Sequence, residues 1–227
     1  MVIEKHMKYG DDELIESQTD AYIFHKIGLG LVDVSYALGL TPNMITFLSM
    51  MSGFYAIYLL CLGRTKEAGI FYIIGYILDC VDGRLARTHN MGSKFGEMFD
   101  LVSDMLVNSV LVSMFIYKYH NTISFEVGLL FIIATLGTTV WFGLVEAQAS
   151  MKKFGTDKYL EEKKKLFKDY PVLSNIYVNT ISSSYYLYKL LVPLYDDKKV
   201  TKLITQTKIF GAGNVNTLIF AILWNTV

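Results

Sequence analysis

Charged residues are scarce in this 227-residue chain. Only 19% are Asp, Glu, Lys or Arg, against about 25% in ordinary soluble domains. The deficit is concentrated, because residues 40–63, 127–145, 171–188 and 209–227 hold no charged side chain. Net charge is zero, so no basic surface points to nucleic acid and none is expected as a partner. Two cysteines, Cys61 and Cys80, lie inside apolar segments. That excludes a disulfide framework and reads as small buried hydrophobes. His6, His25, His89 and His120 show no metal-ligand spacing. The N-terminal MVIEKHMKYGDDELIES lacks the basic and apolar regions of a signal peptide, so insertion is expected to use the first internal apolar segment. There is no internal repeat and no low-complexity tract.

What is present is apolar. Hydrophobic residues make up 52% of the chain and aromatics 14%, and the mean hydropathy is +0.35. A bilayer core of about 30 Å needs about 20 apolar residues as helix, and the uncharged stretches approach that length. The expected fold is therefore an all-α integral membrane protein. The first span is LTPNMITFLSMMSGFYAIYLLCLG (40–63), with Thr41 and Pro42 as a helix start. Further spans are expected at 68–87, 95–117, 123–146, 171–195 and 207–227, six transmembrane helices in all. The last is the most polar, with Gly211, Gly213 and two asparagines in its first half. Residues 151–170 form a charged hydrophilic connection.

Residues 21–40 precede the spans. Ile23, Ile27, Leu31 and Val34 fall at helical spacing, with Lys26 and Asp33 off that stripe. The pattern suits an amphipathic helix, either lying in the membrane interface or packed on protein. Two domains result: 1–40, a polar segment with the interfacial helix, and 41–227, the membrane domain. With six alternating spans, the N-terminus and the 84–94 and 151–170 connections share one side and carry thirteen Lys or Arg. The opposite side, including Lys198, Lys199, Lys202 and Lys208, carries seven. This bias places the 84–94 connection in the cytoplasm.

Four aspartates stand against this apolar background. Asp79, Asp82, Gly83, Ala86 and Arg87 are three or four positions apart and share one helical face. Gly96, Asp100 and Asp104 share a face of the next helix, and the short connection makes the two antiparallel neighbours. Four converging carboxylates would repel one another, and divalent cations resolve that conflict with hard oxygen ligands. Gly83, Ala86 and Gly96 leave room for a ligand, and the Arg87 guanidinium suits phosphate. Together these features suggest phosphate chemistry at a membrane, with a spare carboxylate able to accept the proton of an attacking hydroxyl.

The run D-x2-D-G-x2-A-R-x8-G-x3-D-x3-D, from Asp79 to Asp104, resembles the signature of the CDP-alcohol phosphotransferase family with no substitution. The stretch TPNMIT (41–46) resembles the start of that family's first helix. The resemblance implies a six-helix membrane fold, a homodimer, an interfacial helix ahead of the spans, and a cytoplasm-facing cavity holding two divalent ions, Mg²⁺ or Mn²⁺. By position, Asp79, Asp82, Asp100 and Asp104 would bind metal, with Asp104 the general base. Asp79, Gly83, Ala86, Arg87 and Gly96 would surround the CDP moiety. An acceptor hydroxyl would attack the CDP-alcohol and release CMP. The residues leave the acceptor open; GSKFGEMFD (92–100) is closer to phosphatidylinositol-type members than to aminoalcohol types.

Other residues carry two readings. Asn43 is a helix-start residue or a CDP contact. Arg84 reads as a membrane-side anchor. Glu146 reads as interfacial, and Lys152 and Lys153 as a solvated juxtamembrane pair or an anion site. Two other functions use an acidic membrane cluster. A cation transporter would need inverted repeats and broken helices, and neither is present. An Asp-rich Mg²⁺-dependent prenyltransferase resembles a longer chain with a second acidic cluster.

Overall fold

The computed structural model describes residues 17–154, 168–169, 171–194 and 197–226. The N-terminal 16 residues and most of the 151–170 connection lie outside these, as do the side chains of Lys152 and Lys153. Among the described residues all regular structure is helical. A π-helical turn at Asp20–Phe24 continues into α1 (His25–Ala37). There follow α2 (Pro42–Cys61), α3 (Thr65–Thr88), α4 (Lys94–Tyr119), α5 (Phe125–Phe154), α6 (Pro171–Leu194) and α7 (Asp197–Gln206). A 3₁₀ turn at Lys208–Phe210 leads into α8 (Ala212–Asn225).

Local chemistry sets the boundaries near the site. Thr41 caps α2, its hydroxyl accepting from Met44 N at 3.3 Å, with Pro42 in the first turn as expected. Ser93 caps α4 by accepting from Gly96 N at 2.9 Å. Each such cap contributes about 1 kcal/mol. α1 and α2 end just before Gly39 and Gly63, whose φ of +71° and +81° suit a residue without a Cβ.

α2, α3 and α4 form the centre of the bundle. α2 and α3 run antiparallel, with Ser49 Oγ donating to Gly75 O at 2.9 Å and Ser52 Oγ to Phe71 O at 2.7 Å. Gly53 admits α4: a Cβ there would lie 2.5 Å from Val107 Cγ1. At the end away from the aspartates, Leu60, Phe115, Phe131 and Leu223 join one buried apolar cluster. Among the described residues, three helical stretches are long and apolar enough to cross a membrane: Pro42–Cys61, Lys94–Tyr119 and Phe125–Gln148. α3, with 24 residues, extends about 36 Å, and its second half carries the acidic residues.

The last helix departs from the six-span expectation. Six alternating crossings would run it parallel to α3. Instead α8 is antiparallel to α3. Its first turn meets Asp20, which also binds Tyr76, and Asn216 meets Tyr72. Phe220 packs at Gly69, and Thr65 Oγ1 donates to Thr226 O at 2.8 Å. With 14 residues, α8 is about 21 Å long, shorter than a bilayer core. α6 and α7 return the chain to the end of the bundle that holds Asp79. Lys198, Lys199 and Lys202 therefore stand at the Asp79 end, not opposite it. Their helix, α7, falls between two expected spans; Val200 and Ile204 are buried against α5 and hold it in place.

α1 packs on α3 through Phe24, Gly28 and Val32, and Val32 joins Ile45, Val81 and Leu85 in a small cluster. The stripe of Ile23, Ile27, Leu31 and Val34 points away from the protein; Val34 is 52% exposed.

Candidate metal and phosphate site

The second half of α3 and the first half of α4 meet below the Asn90–Ser93 connection, where Asn90 takes a φ of +54°. Asp79 and Asp82 come from α3 and Asp100 from α4. One carboxylate oxygen of each lies within 4.8 Å of the others. Carboxylates this close repel unless a proton or a cation intervenes. Three hard oxygen donors from two rigid helices fit a divalent cation such as Mg²⁺, Mn²⁺ or Ca²⁺. Thr46 of α2 supports the cluster: its hydroxyl donates to Asp82 Oδ2 at 2.5 Å, and both side chains are buried. Asp104 sits one turn further along α4. It shares with Asp79 a cavity of about 30 Å³ that Thr46, Tyr72, Ser103 and Asn108 also line, room for a water.

The predicted phosphate-side residues lie on the same two helices, Gly83, Ala86 and Arg87 on α3 and Gly96 on α4, with Asn43 on α2. The Arg87 guanidinium folds back over Gly83: a Cβ on Gly83 would lie 3.1 Å from Arg87 Nη1. Asn43 reaches across the start of α4, where a Cβ on Gly96 would lie 2.6 Å from Asn43 Oδ1. Gly83 and Gly96 therefore hold an arginine and an amide close to the helix backbones. Ala86 is half-buried on the same face of α3.

Arg84 is not a lipid-side anchor. It is buried, and its Nη1 donates to His25 O at 2.5 Å, tying α1 to α3. Glu146, half-buried on α5, is not a member of the carboxylate cluster.

Several residues were not anticipated. Thr46 lies in the quoted TPNMIT run, one turn after Asn43, and that shared face is the signal that could have found it. Tyr72 Oη lies 2.8 Å from Asn108 Oδ1 and 2.5 Å from Asn216 Oδ1, and Asn108 Nδ2 donates to Asp104 O at 2.9 Å. Asp20 accepts from Ser17 Oγ at 2.6 Å, Tyr76 Oη at 2.5 Å and Gly213 N at 3.0 Å. It caps α8 from the other end of the sequence, and no local pattern announces such a bond.

An all-helical bundle with stretches long and apolar enough to cross a membrane, and a carboxylate triad at one end that could hold a divalent cation, defines a class: helical membrane proteins. The profile of the CDP-alcohol phosphatidyltransferase family matches residues 39–192, more than half of the chain, and the chain belongs to that family. It is 36% identical over 76 residues to the archaetidylinositol phosphate synthase of Pyrococcus horikoshii, covering 34% of this chain and 40% of that protein. It is 38% identical over 104 residues to the CDP-diacylglycerol–serine O-phosphatidyltransferase of Helicobacter pylori, covering 42% of each. It is 38% identical over 72 residues to the CDP-diacylglycerol–inositol 3-phosphatidyltransferase of Candida albicans, covering 31% of this chain and 30% of that protein. The chain thus spans less than half the length of these curated relatives. No solved structure shows a significant match.

Proposed function

We propose that this protein transfers a substituted phosphate from a CDP-linked lipid to an acceptor hydroxyl, releasing CMP. The single observation that carries the reading is the carboxylate triad, Asp79, Asp82 and Asp100, within 4.8 Å, beside Arg87 and two glycine clearances, in a chain of this family. Asp79, Asp82 and Asp100, with Asp104 beside them, would hold one or two Mg²⁺ or Mn²⁺ ions. Bound there, the cations supply charge neutralisation for a pyrophosphate and for departing CMP. Arg87 binds phosphate oxygens, and Gly83 lets it approach. Asn43, Ala86 and Gly96 border the CDP moiety. Asp104 takes the proton from the acceptor hydroxyl as its oxygen forms the new bond to phosphorus. The bond from that phosphorus to the CMP oxygen breaks, and CMP leaves with the electron pair.

The same reading extends to the chain as a whole. Residues 1–40 are an N-terminal segment with an interfacial helix, supported by the outward stripe of Ile23, Ile27, Leu31 and Val34. Residues 41–227 are the catalytic membrane domain, working as a homodimer as the family resemblance implies. The site opens to the cytoplasm. Arg64, Lys66 and Lys118 stand at the far end of the α2–α4 bundle, whereas Lys94, Lys198, Lys199 and Lys202 stand at the aspartate end. The acceptor is a polyol of the inositol class, supported by the GSKFGEMFD run and by relatives named for inositol.

The test is CMP release by purified protein with CDP-diacylglycerol and Mg²⁺, across inositol, inositol phosphate, glycerol phosphate and serine. Acceptor-dependent CMP that stops with EDTA is the expected result, greatest with an inositol acceptor. No CMP from any acceptor, in folded protein that binds Mn²⁺, would overturn the transfer reading and leave a cation site without this chemistry.

A further inference from the structure

α7 lies against the C-terminal half of α5. Val200 and Ile204 are buried there, Gln148 Nε2 donates to Thr201 Oγ1 at 2.7 Å, and Trp141 Nε1 donates to Ile204 O at 3.0 Å. These contacts decide which face of α7 turns outward. That face carries Lys198 and Lys199 and, one helical turn on, Lys202, all exposed. Leu203 and Ile209 are exposed nearby.

The depth of this face follows from α5. The uncharged run of α5 (127–145) ends at Glu146, two residues before Gln148, which holds Thr201. The start of α7 therefore stands where hydrocarbon gives way to headgroups. A short amphipathic helix at that level, with lysines outward and apolar side chains beside them, matches the chemistry of an anionic lipid surface.

We propose that the outer face of α7 binds the phosphate headgroup of an anionic phospholipid in the leaflet at the aspartate end. The lysines contact the phosphate, and Leu203 and Ile209 lie along the first methylenes of the acyl chains. The site is separate from the carboxylate triad and holds a lipid that is not consumed. It rests on α5 crossing the bilayer and not on the transfer reaction, so a protein that releases no CMP still tests it.

The experiment offers the purified full-length protein in detergent equimolar phosphatidylglycerol and phosphatidylcholine, and reads retained lipid by native mass spectrometry. The wild type is expected to keep phosphatidylglycerol over phosphatidylcholine by roughly tenfold, with the preference falling as salt rises. Lys198→Gln/Lys199→Gln/Lys202→Gln should bring the ratio near one, and the corresponding triple arginine variant should restore it. No preference in the wild type, or an undiminished one in the glutamine variant, would overturn the proposal. If the glutamine variant does not fold, the wild-type salt titration decides, because a salt-insensitive preference overturns it equally.

Discussion

Replacing Thr46 by valine tests whether the carboxylate triad is a built cation site. The Thr46 hydroxyl is 2.5 Å from Asp82 Oδ2 and 3.1 Å from Pro42 O. It has one hydrogen, and the shorter, charge-assisted contact is the one to the carboxylate. Thr46 is buried and valine matches its shape, so packing is kept while the donor is lost. A hydrogen bond to a charged group contributes about 1.5–3 kcal/mol, and losing a partner that orients a metal-binding side chain typically costs 10–100-fold in affinity. Mn²⁺ affinity should therefore fall by roughly 10–100-fold, which is about 1.4–2.8 kcal/mol. Thr46→Ser keeps the hydroxyl and should stay within a few-fold of wild type. The assay is Mn²⁺ titration of detergent-purified protein by electron paramagnetic resonance, with thermal unfolding as a check on the fold. Wild-type affinity in a folded Thr46→Val protein would refute the reasoning, because Asp82 would then need no orientation from α2.

Asp104→Asn should abolish CMP release while CDP-diacylglycerol binding, read by calorimetry, persists; full turnover would remove Asp104 as the base. Gly83→Ala places a methyl 3.1 Å from Arg87 Nη1. It should raise KM for the CDP-lipid roughly tenfold, since the guanidinium loses its seat for a charge-assisted phosphate contact, and an unchanged KM would mean Arg87 does not touch the nucleotide phosphates. Gly53→Ala overpacks the α2–α4 contact at Val107 and should cost about 1–3 kcal/mol of stability. Adding Val107→Ala should recover part of that loss in a melting curve, and a double mutant as unstable as the sum of the two singles would argue against the contact.

What the sequence made legible was local. The Asp79–Asp104 spacing points four carboxylates from two helices toward one another, because a three- or four-residue period and a short connection leave little choice of geometry, and three of them, Asp79, Asp82 and Asp100, meet within 4.8 Å. Thr41 and Pro42 started α2 for the same reason, since capping is decided within one turn. The rest depended on distant partners. The direction of α8 follows from Asp20, Tyr72 and Thr65 meeting it at successive levels, and hydropathy carries no such information. α7 falls between two expected spans, and its lysines mask in the sequence the two side chains, Val200 and Ile204, that bury it. Arg84 looked like a membrane-side cation until α1 supplied a backbone carbonyl, and the role of Thr46 depends on α2 lying beside α3.

The most direct measurement is CMP release in proteoliposomes containing CDP-diacylglycerol and an acceptor, titrated with Mn²⁺ for wild type and Asp100→Asn side by side. The wild-type rate should rise from the EDTA baseline to saturation. The Asp100→Asn midpoint should move at least tenfold higher, because one of three oxygen donors loses its charge. A wild-type rate indifferent to Mn²⁺, or identical midpoints for the two proteins, would contradict the assignment of this helix pair as the metal-dependent transfer site.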